Sequence, residues 1–370
     1  MARMRTIVVK LGSTTVADRR GRLRRTVLAA LVADVAALTE AGHRVVVVSS
    51  GAIACGQSAL GLGERPERMA DLQAASAVGQ GRLFAAYARL CAGHGRTAAQ
   101  VLLTSNDFAQ RRSYVNARAT LRRLLAWRIV PIVNENDTTA TDEIGFGDND
   151  VLAAQVAIML RADLLLLLTD RDGLFTSDPR LDPGARPIAQ LTSREQLADV
   201  RWSSSGRGAG GMNGKTGAAL MAAGAGVRTV IARGTRPAVI ADAVAGVAVG
   251  TSVPGRREDS SAFKLWLRYA KPVRGTLEID GGAARALAHS GGSLLPVGVT
   301  GVHGSFAAGD AVSVVEPGRG EVARGLAAIG ARDLRRVVGL RSAEARRLVP
   351  HLDEEVVHRD HLVLIDEEAR

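Results

Sequence analysis

The chain has 370 residues, of which 46% are hydrophobic, 23% charged and 3% aromatic, and its formal net charge is +11. That length exceeds what one hydrophobic core usually serves, so two domains are expected, and the composition excludes a disordered chain and calls for an aliphatic core. Two cysteines, Cys55 and Cys91, exclude a multi-disulfide framework and are expected to be buried thiols; Arg161 and Asp163 interrupt the best apolar stretch before it reaches membrane-spanning length, and the opening run is too short in its apolar part for a signal peptide, so a cytoplasmic protein without a membrane span is expected.

Thr6 to Lys10 is a β-branched run ended by Leu-Gly-Ser, and Arg24 to Ala41 follows with Val27, Leu28, Leu31, Val32, Val35 and Leu38 at helical spacing. Arg44 to Ser50 is a near-continuous apolar strand ending at Gly51, the pattern of a parallel strand covered on both faces. A helix around Ala70 to Ala92, the run Ala98 to Thr104, a helix near Tyr114 to Ala126 and a strand from Ile129 to Val133 come next. Val151 to Leu160 then reads as helix, Leu164 to Thr169 as buried strand, Gly217 to Ala223 as helix and Val227 to Ala232 as strand. Repeated βα units predict an α/β fold: an open, mostly parallel sheet sandwiched by helices. This domain is expected over residues 1–255. A linker with a short helix is expected over 256–275, and a small β domain over 276–356 with strands at Thr276 to Ile279, Gly298 to Val302 and Ala311 to Val315. A loose charged tail is expected over 357–370.

Ligands of such sheets bind at the carboxyl ends of the strands. There the predicted strands bring Lys10 to Ser13, Ser49 to Gly51, Asn134 to Asp137 and Thr169-Asp170 to one rim. Residues 1–255 hold 31 Lys and Arg against 21 Asp and Glu, while the rest hold 17 against 16. An excess in the first domain suits either an anionic small substrate or a solvated arginine-rich face. Lysine is the sharper signal: of 48 basic residues only Lys10, Lys215, Lys264 and Lys271 are lysine. A compact, flexible ammonium does what a planar guanidinium cannot, so positions that keep lysine point to where such a group is needed.

Two glycine motifs are near misses. Gly206, Gly208 and Gly211 spell a GxGxxG, and residues 209–216 (AGGMNGKT) nearly spell a Walker A loop. Neither follows a hydrophobic strand, which both fingerprints require. What remains is their shared physics, backbone N–H groups crowding a phosphate at a helix that begins near Met212, with Lys215 in its first turn. Against the basic background, residues 132–150 (IVNENDTTATDEIGFGDND) gather carboxylates and amides in one segment. Asp142 and Glu143 within it are expected to be solvated loop acids.

Taken together, VVKLGS (Val8 to Ser13), VSSGAI (Val48 to Ile53), NENDT (Asn134 to Thr138), FGDND (Phe146 to Asp150), LLTDRDGLFTSDPR (Leu167 to Arg180) and GGMNGK (Gly210 to Lys215) resemble the amino acid kinase family, in order over residues 6–235. Within it the likeness is to the branch that phosphorylates the γ-carboxylate of L-glutamate with ATP, the first step of proline biosynthesis. The resemblance implies that Lys10 and Lys215 grip the phosphoryl group in flight and that Asp150 holds them. It implies glutamate binding by Ser50, Asn134, Asp137, Asp148 and Asn149, with Asp137 pairing the ammonium. It implies ATP binding by Lys10, Gly12, Ser13, Thr169, Asp170, Ala209, Gly210, Gly211, Met212, Asn213, Gly214 and Lys215. Mg²⁺ would arrive on the nucleotide phosphates, without a dedicated protein site; none of the 7 histidines falls in a metal-ligand spacing. Proline is the implied feedback inhibitor. Gly214 stands where the family usually has a hydroxyl residue, and Arg207 and Ala209 alter the preceding glycines.

Residues from about Thr276 to Gly339 resemble a PUA domain, a small β-barrel. Its near-neutral charge argues against strong RNA binding and for an ancillary role in regulation or assembly. A homo-oligomer, dimer or tetramer, is the general expectation. The rival readings are a sibling kinase with another carboxylate or phosphate acceptor, and an RNA-binding regulator with an inactive kinase domain, which would not need both lysines.

Overall fold

The computed structural model describes residues 3–18, 20–139, 149–193, 195–197, 200, 211–256, 261–269, 271, 273–352 and 354–365. The chain divides into two units, Met1–Asp259 and Ser260–Arg370. In chain order the first holds β1 (Thr6–Leu11), α1 (Ser13–Val16), α2 (Arg25–Glu40), β2 (Arg44–Ser49), α3 (Ala52–Ala59), α4 (Met69–Gly93), β3 (Ala98–Leu103), α5 (Ser105–Ala109), α6 (Arg111–Ala126), β4 (Val130–Glu135), α7 (Asn149–Leu160), β5 (Leu164–Thr169), β6 (Leu174–Phe175), β7 (Pro187–Ile188), α8 (Met212–Gly224), β8 (Arg228–Arg233), α9 (Val239–Ala245) and β9 (Gly250–Val253).

The apolar runs form strands because a sheet with helices on both faces buries every side chain of a central strand; all of β5 is buried. The sheet order is β3-β4-β2-β1-β5-β8-β9. Each described pairing is parallel except that of β9, which runs antiparallel to β8. The mostly parallel sheet expected from the βα alternation is therefore present, with one reversed edge strand that its four-residue sequence did not announce.

Register decides where β1 presents its lysine. Side chains alternate along a strand, and Ile7, Val9 and Leu11 enter a core with Leu28, Leu83 and Ile240. Lys10 therefore faces the opposite side, where α7 packs on β1. It lies level with Val48 of β2 and Leu167 of β5. Cys55 and Cys91 are free and buried, as expected.

After β2 the chain turns at Gly51, whose φ of 110° is left-handed, and starts α3. This helix lies against α4 with backbone touching backbone: a Cβ on Gly56 would sit 1.7 Å from the Ala75 carbonyl oxygen, and one on Gly79 1.8 Å from that of Ala52. Glycine at both positions is what lets α4, 25 residues and about 37 Å long, press this closely on the rim.

The second unit holds α10 (Ala262–Tyr269), β10 (Val273–Ile279), α11 (Gly281–Ser290), β11 (Val299–Gly304), β12 (Ala311–Glu316), β13 (Gly320–Leu326), α12 (Ala331–Leu334), α13 (Ser342–Leu348) and β14 (Leu362–Leu364). Its sheet runs β11-β10-β12-β13-β14. Two segments differ from the reading of the sequence. The helix expected in a linker, α10, belongs to this unit, because Leu265 and Leu267 are buried and Leu267 packs with Ala311, Val363, Phe263 and Trp266. Past Val356, where a loose tail was expected, Val357 bridges Leu294 and Leu362–Leu364 pair with β13. No helix among the described residues is long and apolar enough to cross a membrane.

Candidate active site

Lys10, the penultimate residue of β1, is 4% exposed, and Asp150, in the first turn of α7, 1%. The Lys10 Nζ lies 2.6 Å from Asp150 Oδ1. Lys215, in the first turn of α8, places its Nζ 2.8 Å from Asp150 Oδ2. Two ammonium groups separated by 205 positions in sequence thus share one carboxylate. Burial by itself pushes the Asp150 carboxyl up, but the charges and hydrogen bonds of Lys10 and Lys215 outweigh it and hold the group below the usual carboxylate range.

Around this triad lie the expected phosphate-side residues. Gly12 caps α1 and donates its N–H to the Leu168 carbonyl at 3.3 Å, and Ser13 is exposed beside it. Thr169, buried at the end of β5, has its hydroxyl 3.1 Å from Asp170, which is exposed. Gly211 caps α8, whose opening residues Met212, Asn213 and Gly214 are half-buried, exposed and half-buried. A helix start next to two lysines is suited to phosphate oxygens. Further along, Asp178 takes Arg180 at 2.7 Å and Arg171 at 3.5 Å, closing the turn after β6. Asp148, Ala209 and Gly210 lie outside the described residues, as do Asp142, Glu143 and Arg207.

The expected acceptor-side residues also converge. Ser50, Asn134, Asp137 and Asn149 are 9%, 2%, 6% and 5% exposed. Asn149 donates through Nδ2 to Ser50 Oγ and to Asn134 Oδ1, both at 3.1 Å. Because Asn149 precedes Asp150 on α7, one helix turn joins this cluster to the triad. Burial pushes the Asp137 carboxyl up, partly offset by a hydrogen bond from Ser76 and the charge of Arg65.

Two residues that the sequence did not single out complete the cluster. Gln80 Oε1 accepts from Asn134 Nδ2 at 2.6 Å, and the Ser76 hydroxyl donates to Asp137 Oδ2. Both stand on α4. Their only signal in the sequence is a polar residue on an otherwise apolar helix stripe with Leu72, Ala75 and Leu83.

The amino acid kinase family model matches residues 5–233, and a PUA domain model matches residues 275–349. A glutamate 5-kinase of Ectopseudomonas mendocina is 46% identical over 362 residues, covering 97% of each chain. One of Trichormus variabilis is 43% identical over 366 residues, covering 97% of this chain and 99% of the relative. Among solved structures, an isopentenyl phosphate kinase of T. acidophilum covers 67% of this chain and 99% of its own, at 18% identity and a TM-score of 0.48. A kinase match spanning β1 to β8, the stretch that holds the triad and the cluster around Asn149, and relatives alike along nearly the whole length place this chain in the amino acid kinase family.

Proposed function

We propose that this chain transfers the γ-phosphoryl group of ATP to the γ-carboxylate of L-glutamate, giving L-glutamyl 5-phosphate and ADP at the start of proline biosynthesis. The observation that carries this reading is the gathering of Lys10 and Lys215 on Asp150, one residue from an acceptor cluster, in a chain 46% identical to a glutamate 5-kinase. The acceptor carboxylate is ionised at neutral pH and needs no general base. Transfer of a phosphoryl group is then mainly positioning and charge stabilisation. Lys10 and Lys215 place positive charge on either side of the migrating group, and Asp150 keeps both nitrogens in place before substrate arrives.

In this reading Gly12, Ser13, Thr169, Asp170 and the start of α8 from Gly211 to Lys215 hold the nucleotide. Ser50, Asn134, Asp137 and Asn149 hold glutamate, with Asp137 taking the ammonium. Mg²⁺ supplies neutralisation of the nucleotide phosphates. The donor set fits that route: Asp150, the buried carboxylate between Lys10 and Lys215, is already balanced by two ammonium groups, so the residues present suit a polyphosphate better than a bare cation. Proline, which carries an α-carboxylate and a secondary ammonium, fits the same acceptor-side groups as a feedback inhibitor. A cytoplasmic homo-oligomer, with an ancillary role for the second unit, belongs to the same proposal.

The test is trapping of the acyl phosphate with hydroxylamine. ATP-dependent hydroxamate from L-glutamate, and far less from aspartate or N-acetylglutamate, is the expected result; none from glutamate overturns the reading. Lys10→Ala or Lys215→Ala should each lower kcat by about 10² to 10³, the loss typical of a missing charge stabiliser.

A further inference from the structure

Helix α4 carries a polar stripe that its apolar packing does not require. Ser76, Gln80 and Tyr87 are spaced by four and seven residues, which puts them on one helix face, and they are 2%, 9% and 0% exposed. Buried polar groups need partners, and each finds one at the acceptor cluster or the strand end that bears it. Ser76 takes Asp137, Gln80 takes Asn134, and the Tyr87 hydroxyl lies 2.8 Å from Ser49 Oγ, which donates to the Ser50 carbonyl at 3.0 Å.

The amides run in one polarity from Gln80 to Asn149. A side-chain amide has one acceptor oxygen and one two-proton donor. With Gln80 Oε1 accepting from Asn134 Nδ2, the Asn134 oxygen is left to accept from Asn149, and Asn149 spends both protons on Asn134 and Ser50. Asn149 Oδ1 is then buried with no hydrogen-bond partner among the described residues. An orphaned buried acceptor is costly, and a ligand N–H is what would satisfy it. Turned the other way, with Gln80 donating, the same chain would end on an NH₂ and repel an ammonium.

We propose that Gln80 and Ser76 are positioning residues for the acceptor: Gln80 orients the Asn134–Asn149 amides so that an oxygen faces the substrate, Ser76 holds the Asp137 carboxylate, and together they select a free α-ammonium over an acylated nitrogen. This rests on the reading of the cluster as an amino-acid site. Ser76 also sets when Asp137 is ionised. The charge of Arg65, on the connection between α3 and α4, also acts on Asp137; the Ser76 hydrogen bond and Arg65 both favour the carboxylate, and burial opposes it. Removing the hydroxyl therefore raises the Asp137 pKa, so the ionised form that pairs with an ammonium appears at higher pH.

The experiment uses the full chain and hydroxylamine trapping with L-glutamate and N-acetyl-L-glutamate across pH, with thermal unfolding recorded for each variant. Gln80→Met, which removes the acceptor oxygen, should raise the KM for glutamate about tenfold or more, leave the KM for ATP unchanged and narrow the preference for glutamate. Gln80→Glu keeps an acceptor oxygen and should retain more activity than Gln80→Met. Ser76→Ala should move the acid limb of kcat/KM for glutamate to higher pH. The two positions are assayed separately, so a variant that fails to fold leaves the other to decide. Folded variants with unchanged glutamate KM, preference and acid limb overturn this inference alone; a wild-type chain that yields no hydroxamate from glutamate overturns the functional reading and this inference with it.

Discussion

Asp150 carries an obligation that neither lysine could meet alone. Two ammonium groups converge at 2.6 and 2.8 Å on a carboxylate that is 1% exposed, so Asp150→Asn leaves buried positive charges facing each other. Breaking a buried ion pair from one side typically costs about 3 to 5 kcal/mol, and a loss of that size in urea unfolding is the expected outcome at neutral pH. Its pH dependence has a definite sign. The folded pKa lies below the ordinary value of about 3.9, so the contribution is fully present above that value and disappears as pH falls through the depressed folded value. The gap between wild type and Asp150→Asn should therefore be widest near neutrality and close in strong acid. A gap that persists below the carboxylate range would mean that Asp150 acts through packing instead. Scarcity made Lys10 and Lys215 visible in the sequence, since only four of 48 basic residues are lysine and these are two of them. Ser76 and Gln80 gave no comparable signal, because a polar residue on a helix usually faces water and only the fold turns it toward Asp137 and Asn134.

At the scale of elements, the placement of α4 depends on the absence of two Cβ atoms. Gly79→Ala would bring a methyl to 1.8 Å from the Ala52 oxygen and 2.4 Å from the Gly56 nitrogen, both backbone atoms that cannot rotate aside. The helices must part, at an expected cost of about 3 kcal/mol or more, the upper end for overpacking, and Ser76 and Gln80 move with α4, so glutamate KM should rise as stability falls. Gly81→Ala, two residues on, meets nothing within 4 Å and should stabilise the same helix by up to about 1 kcal/mol through propensity. Opposite shifts in the urea midpoints of the two variants check the argument, and equal shifts refute it. The long apolar strands and the larger helices were readable because period and composition repeat over six or more residues. The two-residue strands β6 and β7, the reversed edge β9 and β14 were not. Strand β14 is Leu-Val-Leu among charged residues, too short for periodicity, and it exists because β13 offers an edge to pair with.

At the scale of the whole molecule, chemistry and core are partitioned in the same way. Every described residue of the triad and the acceptor cluster lies in Met1–Asp259. Among the described residues, one core cluster of the sheet draws on residues from Ile7 to Val249, and one of the second unit on residues from Leu277 to Leu362, with no residue in common. The charge divides too: +10 over residues 1–255 and +1 over the rest. Units whose described core clusters share no residue are expected to unfold as separate cooperative transitions, and a site whose described residues all lie in one of them is expected to persist without the other. A fragment of residues 1–259 should therefore melt in a single transition and still form hydroxamate from glutamate and ATP. Regulation by proline and the assembly state are the properties expected to change, if the second unit has the ancillary role proposed for it. A fragment that folds, by circular dichroism and a cooperative melt, yet loses hydroxamate formation would show that the second unit supplies part of the phosphoryl-transfer site.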